Sequence, residues 1–440
     1  MSTALFTKSK LAINGGVPVR TKLFPGYNTI GEDEKKAVMK VLDSGNLSQF
    51  LGAWHKDFYG GPTVQRFEKE WALTFKSKFA ISVNSNTSGL FAAIGALGIK
   101  PGDEVIVSPY TMSASALAPV IYGAVPVFAD VDYDNFGLDP KSIEKRITPR
   151  TKAILVVHIF GNPAKMNEIM AIARKHNLKV IEDCAQAPMA TYNDQIVGTI
   201  GDIGIFSLNY HKHIHTGEGG VLITNDEHLA ERIYLIRNHG ENIVEPKGVK
   251  DAFNTFGYNF RMTEMEAAIG IEQLKKLPLL VDQRIQKANF LAKELGKIPG
   301  LIPPIIESGS KHVYYQQPFK FKKNIIGIDR NTFINAIKAE LPSAVLREDT
   351  PLINMGYVRP LYLLPLFQQR ATHCSFNCEK YKGTVDYSRG ICPIVEKLHY
   401  EELFSHEYMR PGLSKEDIAD VITAFNKVAE NVNELKNANA

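Results

Sequence analysis

From Phe79 onward the chain alternates short apolar runs with longer segments whose apolar residues recur at helical spacing. "FAISV", "EVIVS", "VPVFAD", "AILVVH" and "LKVIED" predict strands, and "DIGIFS" and "GGVLITN" add two more. The stretches between them, "TSGLFAAIGALGI", "SASALAPVIYGA", "DPKSIEKRI" and "AKMNEIMAIARKHN", predict helices punctuated by Gly, Pro or Asp. This succession of βαβ units predicts an α/β fold with a mostly parallel central sheet flanked by helices. Met262 to about Leu295 reads as one long amphipathic helix leading out of that region. Beyond it the pattern becomes Pro-punctuated and tyrosine-rich, predicting a smaller α+β unit closed by a helix over "SKEDIADVITAFNKVAENVNEL". The expected division is an N-terminal segment 1–27, a large domain 28–275 and a small C-terminal domain 276–440. The ends, "MSTALFTKSK" and "ELKNANA", are expected to be loose.

At 440 residues the chain exceeds one ordinary core. Its 44% hydrophobic and 22% charged residues match a folded globular protein. Lys and Arg total 51 against 47 Asp and Glu, a net charge of +4 with the cations dispersed, so no stripe for a nucleic-acid backbone is expected. Small-molecule partners fit better. No apolar run approaches the ~18 residues that span a bilayer, and the first residues lack the apolar stretch of a secretory signal, so the expected location is cytoplasmic with no membrane partner. The four cysteines, Cys184, Cys374, Cys378 and Cys392, are too sparse for a disulfide framework. Cys374 and Cys378, with His373 and His399 nearby, lack the second pair of a zinc knuckle and read as thiols in a reducing compartment.

In open parallel sheets, ligands sit beyond the carboxyl ends of the strands. Four such places carry candidate chemistry. "NSNTSGL" after "FAISV" opens a helix whose free amides and positive end suit a phosphate, although any strand-to-helix turn favours these residues. Tyr110, after "EVIVS", would present a flat ring at the rim, or simply pack. Glu182, Asp183 and Gln186 follow "LKVI"; a buried carboxylate needs a partner, so Asp183 should meet a cationic group, which an ordinary salt bridge would also explain. Lys212 lies between His211 and His213, whose positive charge would disfavour its charged form and make it a nucleophile, whereas most lysines are solvated. His211, His213 and His215 are spaced for one face of an extended segment, but no carboxylate accompanies them, so no metal is expected. A phosphate turn, a flat aromatic, a buried Asp and a lysine on successive strand ends together match pyridoxal 5′-phosphate: its aldehyde takes a lysine, its ring nitrogen a carboxylate, its phosphate backbone amides.

The segments "PGDEVIVSPYTM", "GAVPVFADVDYDNFGLDP", "IEDCAQA", "VGTIGDIGIFSLNYHKHIHTGEGGVLITND" and "GYNFRMTEMEAAIGIEQL" resemble, in order, those of the DegT/DnrJ/EryC1/StrS sugar aminotransferases, which have the fold-type I architecture. A weaker match runs on through "RPLYLLPLFQ" and "CPIVEKLHYEELF". The resemblance implies a Schiff base on Lys212, Asp183 holding the ring nitrogen protonated, Gln186 near the ring and Tyr110 covering it. It implies phosphate contacts from Thr87, Ser88 and Ser207, and from Asn259 across the interface of a homodimer with shared active sites. The chain departs from the family at "PMA", where "His-Gly-Ala" is common, and at "NTSG", where "GTSA" is usual. The implied reaction moves an amino group, with L-glutamate as donor, to a keto group of a nucleotide-linked sugar or a keto-cyclitol. A family branch that carries histidine in place of the lysine dehydrates sugars, but here the register through "TGEGG" keeps Lys212. A non-catalytic, cofactor-binding regulator is the third reading.

Overall fold

A computed structural model describes residues 10–345, 351–371 and 381–436. The apolar runs form a seven-stranded sheet: β1 Phe79–Val83, β2 Glu104–Val107, β3 Val125–Phe128, β4 Thr151–Val157, β5 Lys179–Asp183, β6 Ile203–Ser207 and β7 Gly220–Thr224. Their spatial order is β1-β7-β6-β5-β4-β2-β3. β3, β2, β4, β5 and β6 run parallel, and β7 is antiparallel to both β6 and β1. The reversal follows from the link between β6 and β7. A loop replaces the crossover helix, so the chain returns in the opposite direction.

Alternate strand residues feed two cores. Ile81, Val105, Leu155, Ile181 and Ile205 pack with α2 (Asn86–Ala96), α3 (Ser113–Ile121) and α5 (Glu227–Arg237). Ala80, Ile106, Val156, Val180 and Phe206 pack with α1 (Pro62–Phe75), α4 (Met166–His176) and α6 (Glu264–Leu295). Each fully buried aliphatic contributes roughly 1.5–3 kcal/mol, which makes this sheet a firm platform for whatever its strand ends carry.

The long helix α6 starts at a capping box: Thr263 Oγ1 accepts from the Glu266 amide, and Glu266 Oε2 accepts from the Thr263 amide. Its Ala267, Ile271, Leu274 and Val281 belong to the sheet core, while Ala288, Leu291 and Leu295 belong to a third core in the C-terminal region. A domain boundary at 275/276 therefore falls within a continuous helix, and the change of packing partner comes between Val281 and Ala288. The third core also takes in Leu11 and Phe24 and backs a four-stranded antiparallel sheet of Leu301–Ile302, Gln317–Phe321, Leu403–His406 and Ile353–Met355. The closing helix α7 spans Lys415–Glu430, shorter than its hydrophobic pattern. Asn431 turns its Nδ2 onto the Lys427 carbonyl (2.7 Å) and ends the run, and a short helix, Val432–Lys436, follows.

Among the described residues no helix is long and apolar enough to cross a membrane. Cys184 and Cys392 are buried free thiols. His373, Cys374, Cys378 and the outermost residues of both termini lie outside the described residues.

Candidate active site

Register brings the candidate residues together. Val83, Gly220 and Ser207 lie in one row across β1, β7 and β6, and Val157, Asp183 and Ile205 in a neighbouring row across β4, β5 and β6. The residues that follow these rows converge on one edge of the sheet.

Ser85 caps α2, its Oγ accepting from the Ser88 amide at 3.0 Å. Gly220 is what lets that helix start so near the sheet. A Cβ there would stand 2.8 Å from the Asn86 nitrogen and from the Ser85 carbonyl. The Asn86 and Thr87 amides at the helix start have no intrahelical acceptor, the usual condition for holding an anion. Thr87 is exposed and Ser207 half-buried. Ser88 is buried and its hydroxyl donates to Asn84 Oδ1 (2.6 Å), so in this arrangement the hydroxyl serves the turn.

Asp183 lies on the sheet face covered by α2 and α3 and is 4% exposed. Among the described residues its hydrogen bonds come from neutral donors: Ser115 Oγ (3.0 Å), the Ala185 amide (3.1 Å) and Asn86 Nδ2 (3.5 Å). No ion pair involves it among the described residues. Burial raises its pKa, opposed by those donors and by the charge of Lys212. The adjacent Glu182 points to the opposite face, where it receives His158 Nε2 (3.0 Å) and the amides of Gly198, Ile200 and Gly201. His158, Glu182 and Cys184 come within 4.8 Å of one another, but His158 Nδ1 also accepts the Ala164 amide, leaving both imidazole nitrogens engaged. This cluster is a structural knot that holds the 198–201 turn.

Lys212 sits in the loop between β6 and β7, closed on itself by Leu208 N to Gly219 O (2.9 Å) and Thr216 N to Leu208 O (3.0 Å). Gly219, at φ +150°, is required there because a Cβ would meet Thr216 Oγ1 at 2.6 Å. The Lys212 side chain is buried, with Nζ 4.4 Å from the centre of the Tyr315 ring. No carboxylate pairs with it among the described residues. Burial brings its pKa down from 10.5 to about 8, with Asp183 and Glu407 pulling the other way. The histidines are not the cause. His211 is itself lowered to about 4 and His213 well below its ordinary value, both chiefly by burial, so they stand neutral beside the amine.

Gln186 is clamped: Oε1 accepts the Phe160 amide (2.6 Å), and Nε2 donates to the Tyr357 hydroxyl (2.8 Å). Tyr110 is fully buried rather than set at an open rim. Segments distant in sequence cover it, with Tyr357 packed edge-on at 5.9 Å and its hydroxyl 3.4 Å from His399 Nδ1. Asn259 is exposed, with Oδ1 accepting from Arg261 Nε (2.7 Å). Its backbone runs beside the turn that opens α2 of the same chain, since Asn84 N donates to the Phe260 carbonyl (2.8 Å).

The strand-end pattern does not single out Ser115, Tyr315 or Tyr357, and it marks Asn86 only as part of the turn that opens α2. Ser115 and Asn86 had a weak signal as polar residues opening helices after sheet strands. Tyr315 and Tyr357 had none, because only the packing of the C-terminal region carries them to the strand ends.

The DegT/DnrJ/EryC1/StrS aminotransferase family is matched over residues 28–426. The chain is 33% identical to the spore coat polysaccharide biosynthesis protein SpsC of Bacillus subtilis, covering 91% of this chain and 95% of that protein. It is 32% identical to the L-glutamine:2-deoxy-scyllo-inosose aminotransferase of Micromonospora echinospora, covering 97% and 99%. A crystal structure of an aminotransferase from Psychrobacter cryohalolentis superposes with a TM-score of 0.79 at 31% identity, covering 93% of this chain and all of that one.

Proposed function

Because the chain belongs to the DegT/DnrJ/EryC1/StrS aminotransferase family, we propose that it moves an amino group onto the keto carbon of a nucleotide-linked sugar or a keto-cyclitol, with L-glutamate or L-glutamine as donor. The family depends on pyridoxal 5′-phosphate, and the donor set here suits that group. Asp183 is a buried carboxylate with only neutral partners, which a cationic ring nitrogen would complete. Lys212 is a buried amine without a carboxylate contact, suited to bond covalently to a carbonyl carbon. The start of α2, approached closely because of Gly220, suits a phosphate. The observation that carries the proposal is the placing of a buried carboxylate, Asp183, at the end of β5 and a buried amine, Lys212, in the loop that leaves the adjacent strand β6.

Bound there, the cofactor supplies an electron-accepting ring coupled to the substrate amine. Asp183 keeps the ring nitrogen protonated, and Ser115 and Asn86 orient Asp183. Lys212, when free, moves the proton at the substrate carbon. Thr87, Ser207 and the Asn86 and Thr87 amides hold the phosphate, with Ser88 bracing the turn that opens α2 through Asn84 and Ser85; Gln186, fixed by Phe160 and Tyr357, and Tyr110 bound the ring space. Asn259 reaches the neighbouring subunit's phosphate in a homodimer, a reading supported by its exposure and by the exposed Phe253 and Phe256 just before it. The buried free thiols support a cytoplasmic setting. The dehydratase alternative would need a histidine in the lysine's role. His213 is unsuited, since its Nε2 donates to the Val313 carbonyl at 2.9 Å.

The test is to incubate purified protein with glutamate or glutamine and a panel of keto rings, scyllo-inosose, 2-deoxy-scyllo-inosose and nucleotide-linked 4-keto-sugars, with products read by mass. An amino product from one member is expected. Loss of a hydroxyl without nitrogen gain would favour dehydration, and no conversion with cofactor bound would favour the regulator.

The lowered pKa of Lys212 has a second measurable outcome. A base whose pKa falls to about 8 is neutral above that pH, and only the neutral amine attacks a carbonyl. The rate at which cofactor-free protein captures added pyridoxal 5′-phosphate should rise with pH and level off near 8. A rise continuing toward the ordinary lysine value of 10.5 would show that burial leaves the amine unperturbed.

A further inference from the structure

The sequence places three histidines around Lys212, and the proposed reaction uses none of them. Their surroundings differ. His213 is fully buried, its Nε2 donating to the Val313 carbonyl and its backbone carbonyl accepting the Tyr27 hydroxyl. His215 turns back on its own loop, its Nδ1 accepting the Gly217 amide at 3.3 Å. His211 alone is half-buried with neither ring nitrogen hydrogen-bonded among the described residues.

The His211 ring is held between aromatic neighbours. It packs edge-on to Tyr210 at 4.8 Å and lies 6.1 Å from the Tyr315 ring, the same ring that stands 4.4 Å from the Lys212 amine. His211 and the reactive amine therefore lie against the same Tyr315 ring. A neutral imidazole has one N–H donor and one acceptor nitrogen, the complement of an alcohol, which also donates once and accepts once. A keto acid presents carboxylates, which only accept; a sugar or cyclitol ring presents hydroxyls.

We propose that His211 binds a ring hydroxyl of the amino acceptor beside the keto carbon and so distinguishes polyhydroxylated rings from keto acids. The proposal rests on the aminotransferase reading above. A site built to pair a hydroxyl leaves its own polar groups unpaired when the hydroxyl is missing, which is how such a contact gives specificity.

The experiment separates two acceptors in single-turnover spectra of enzyme already loaded with the amino group. One is the keto ring that the parent chain aminates in the panel; the other is 2-oxoglutarate. His211→Phe keeps the ring packed against Tyr210 and Tyr315 and removes both nitrogens. It should lower kcat/KM for the keto ring by about tenfold or more, mainly through KM, while the rate with 2-oxoglutarate stays within about twofold. His211→Asn, which restores a donor and an acceptor, should recover part of the loss, and it carries the test if the Phe variant does not fold. Equal losses with both acceptors, or a Phe variant that handles the keto ring like the parent, would overturn the proposal. A parent chain that takes an amino group from no donor would instead refute the aminotransferase reading.

Discussion

Lys212→Ala should abolish turnover, with a loss of at least about four orders of magnitude, because the residue serves both as the covalent anchor and as the base that moves the proton. The amine is buried, unpaired by any carboxylate among the described residues, and backed by Tyr315. Lys212 is the lysine whose charge acts on Asp183. Borohydride treatment of the parent chain should fix the cofactor on a peptide containing Lys212, and the variant should give no such peptide. The variant should still bind cofactor reversibly, since Asp183 and the start of α2 are untouched. Label on a different lysine, or turnover retained within about tenfold, would remove Lys212 from the centre of the chemistry.

Asp183→Asn should leave a folded, cofactor-binding protein that has lost about 10²- to 10³-fold in the rates of both half-reactions, the scale of losing one fixed electrostatic partner in a dry site. The substitution preserves size, and the remaining oxygen still accepts the Ala185 amide or the Ser115 hydroxyl. What it removes is the negative charge. Burial raises the Asp183 pKa, so by itself the site disfavours that charge, and a cation against it would favour it. The donor half-reaction, followed by spectra with glutamate or glutamine alone, tests this without knowledge of the acceptor. Parent-like rates in the variant would make Asp183 a structural residue held by Ser115 and Asn86.

Both residues were legible in the chain because their signal is local. Asp183 ends an apolar run, and Lys212 sits between such a run and a glycine-rich turn that only glycine can make at Gly219. The turn that opens α2 was legible for the same reason, although the sequence could not show that the Ser88 hydroxyl would turn inward to Asn84. The cause of the Lys212 shift was misplaced. Adjacent histidines suggested repulsion, but a fold that buries the lysine buries them too, and they lose their own protons.

The sequence by itself determined the βαβ order, the strand limits to within a residue or two, and the residue types at the strand ends. Apolar periodicity and turn chemistry act between near neighbours, and near neighbours can be read from the chain. The tertiary structure alone decided which partners those residues meet. Ser115 on Asp183, Tyr315 against Lys212, Tyr357 on Gln186 and His399 on Tyr110 join positions 68 to 289 residues apart or carried on separate units. Such contacts arise when whole layers dock, driven by burial of apolar area with no preference for one polar pair over another. A polar partner brought in that way leaves no periodicity and no local spacing by which the sequence could announce it.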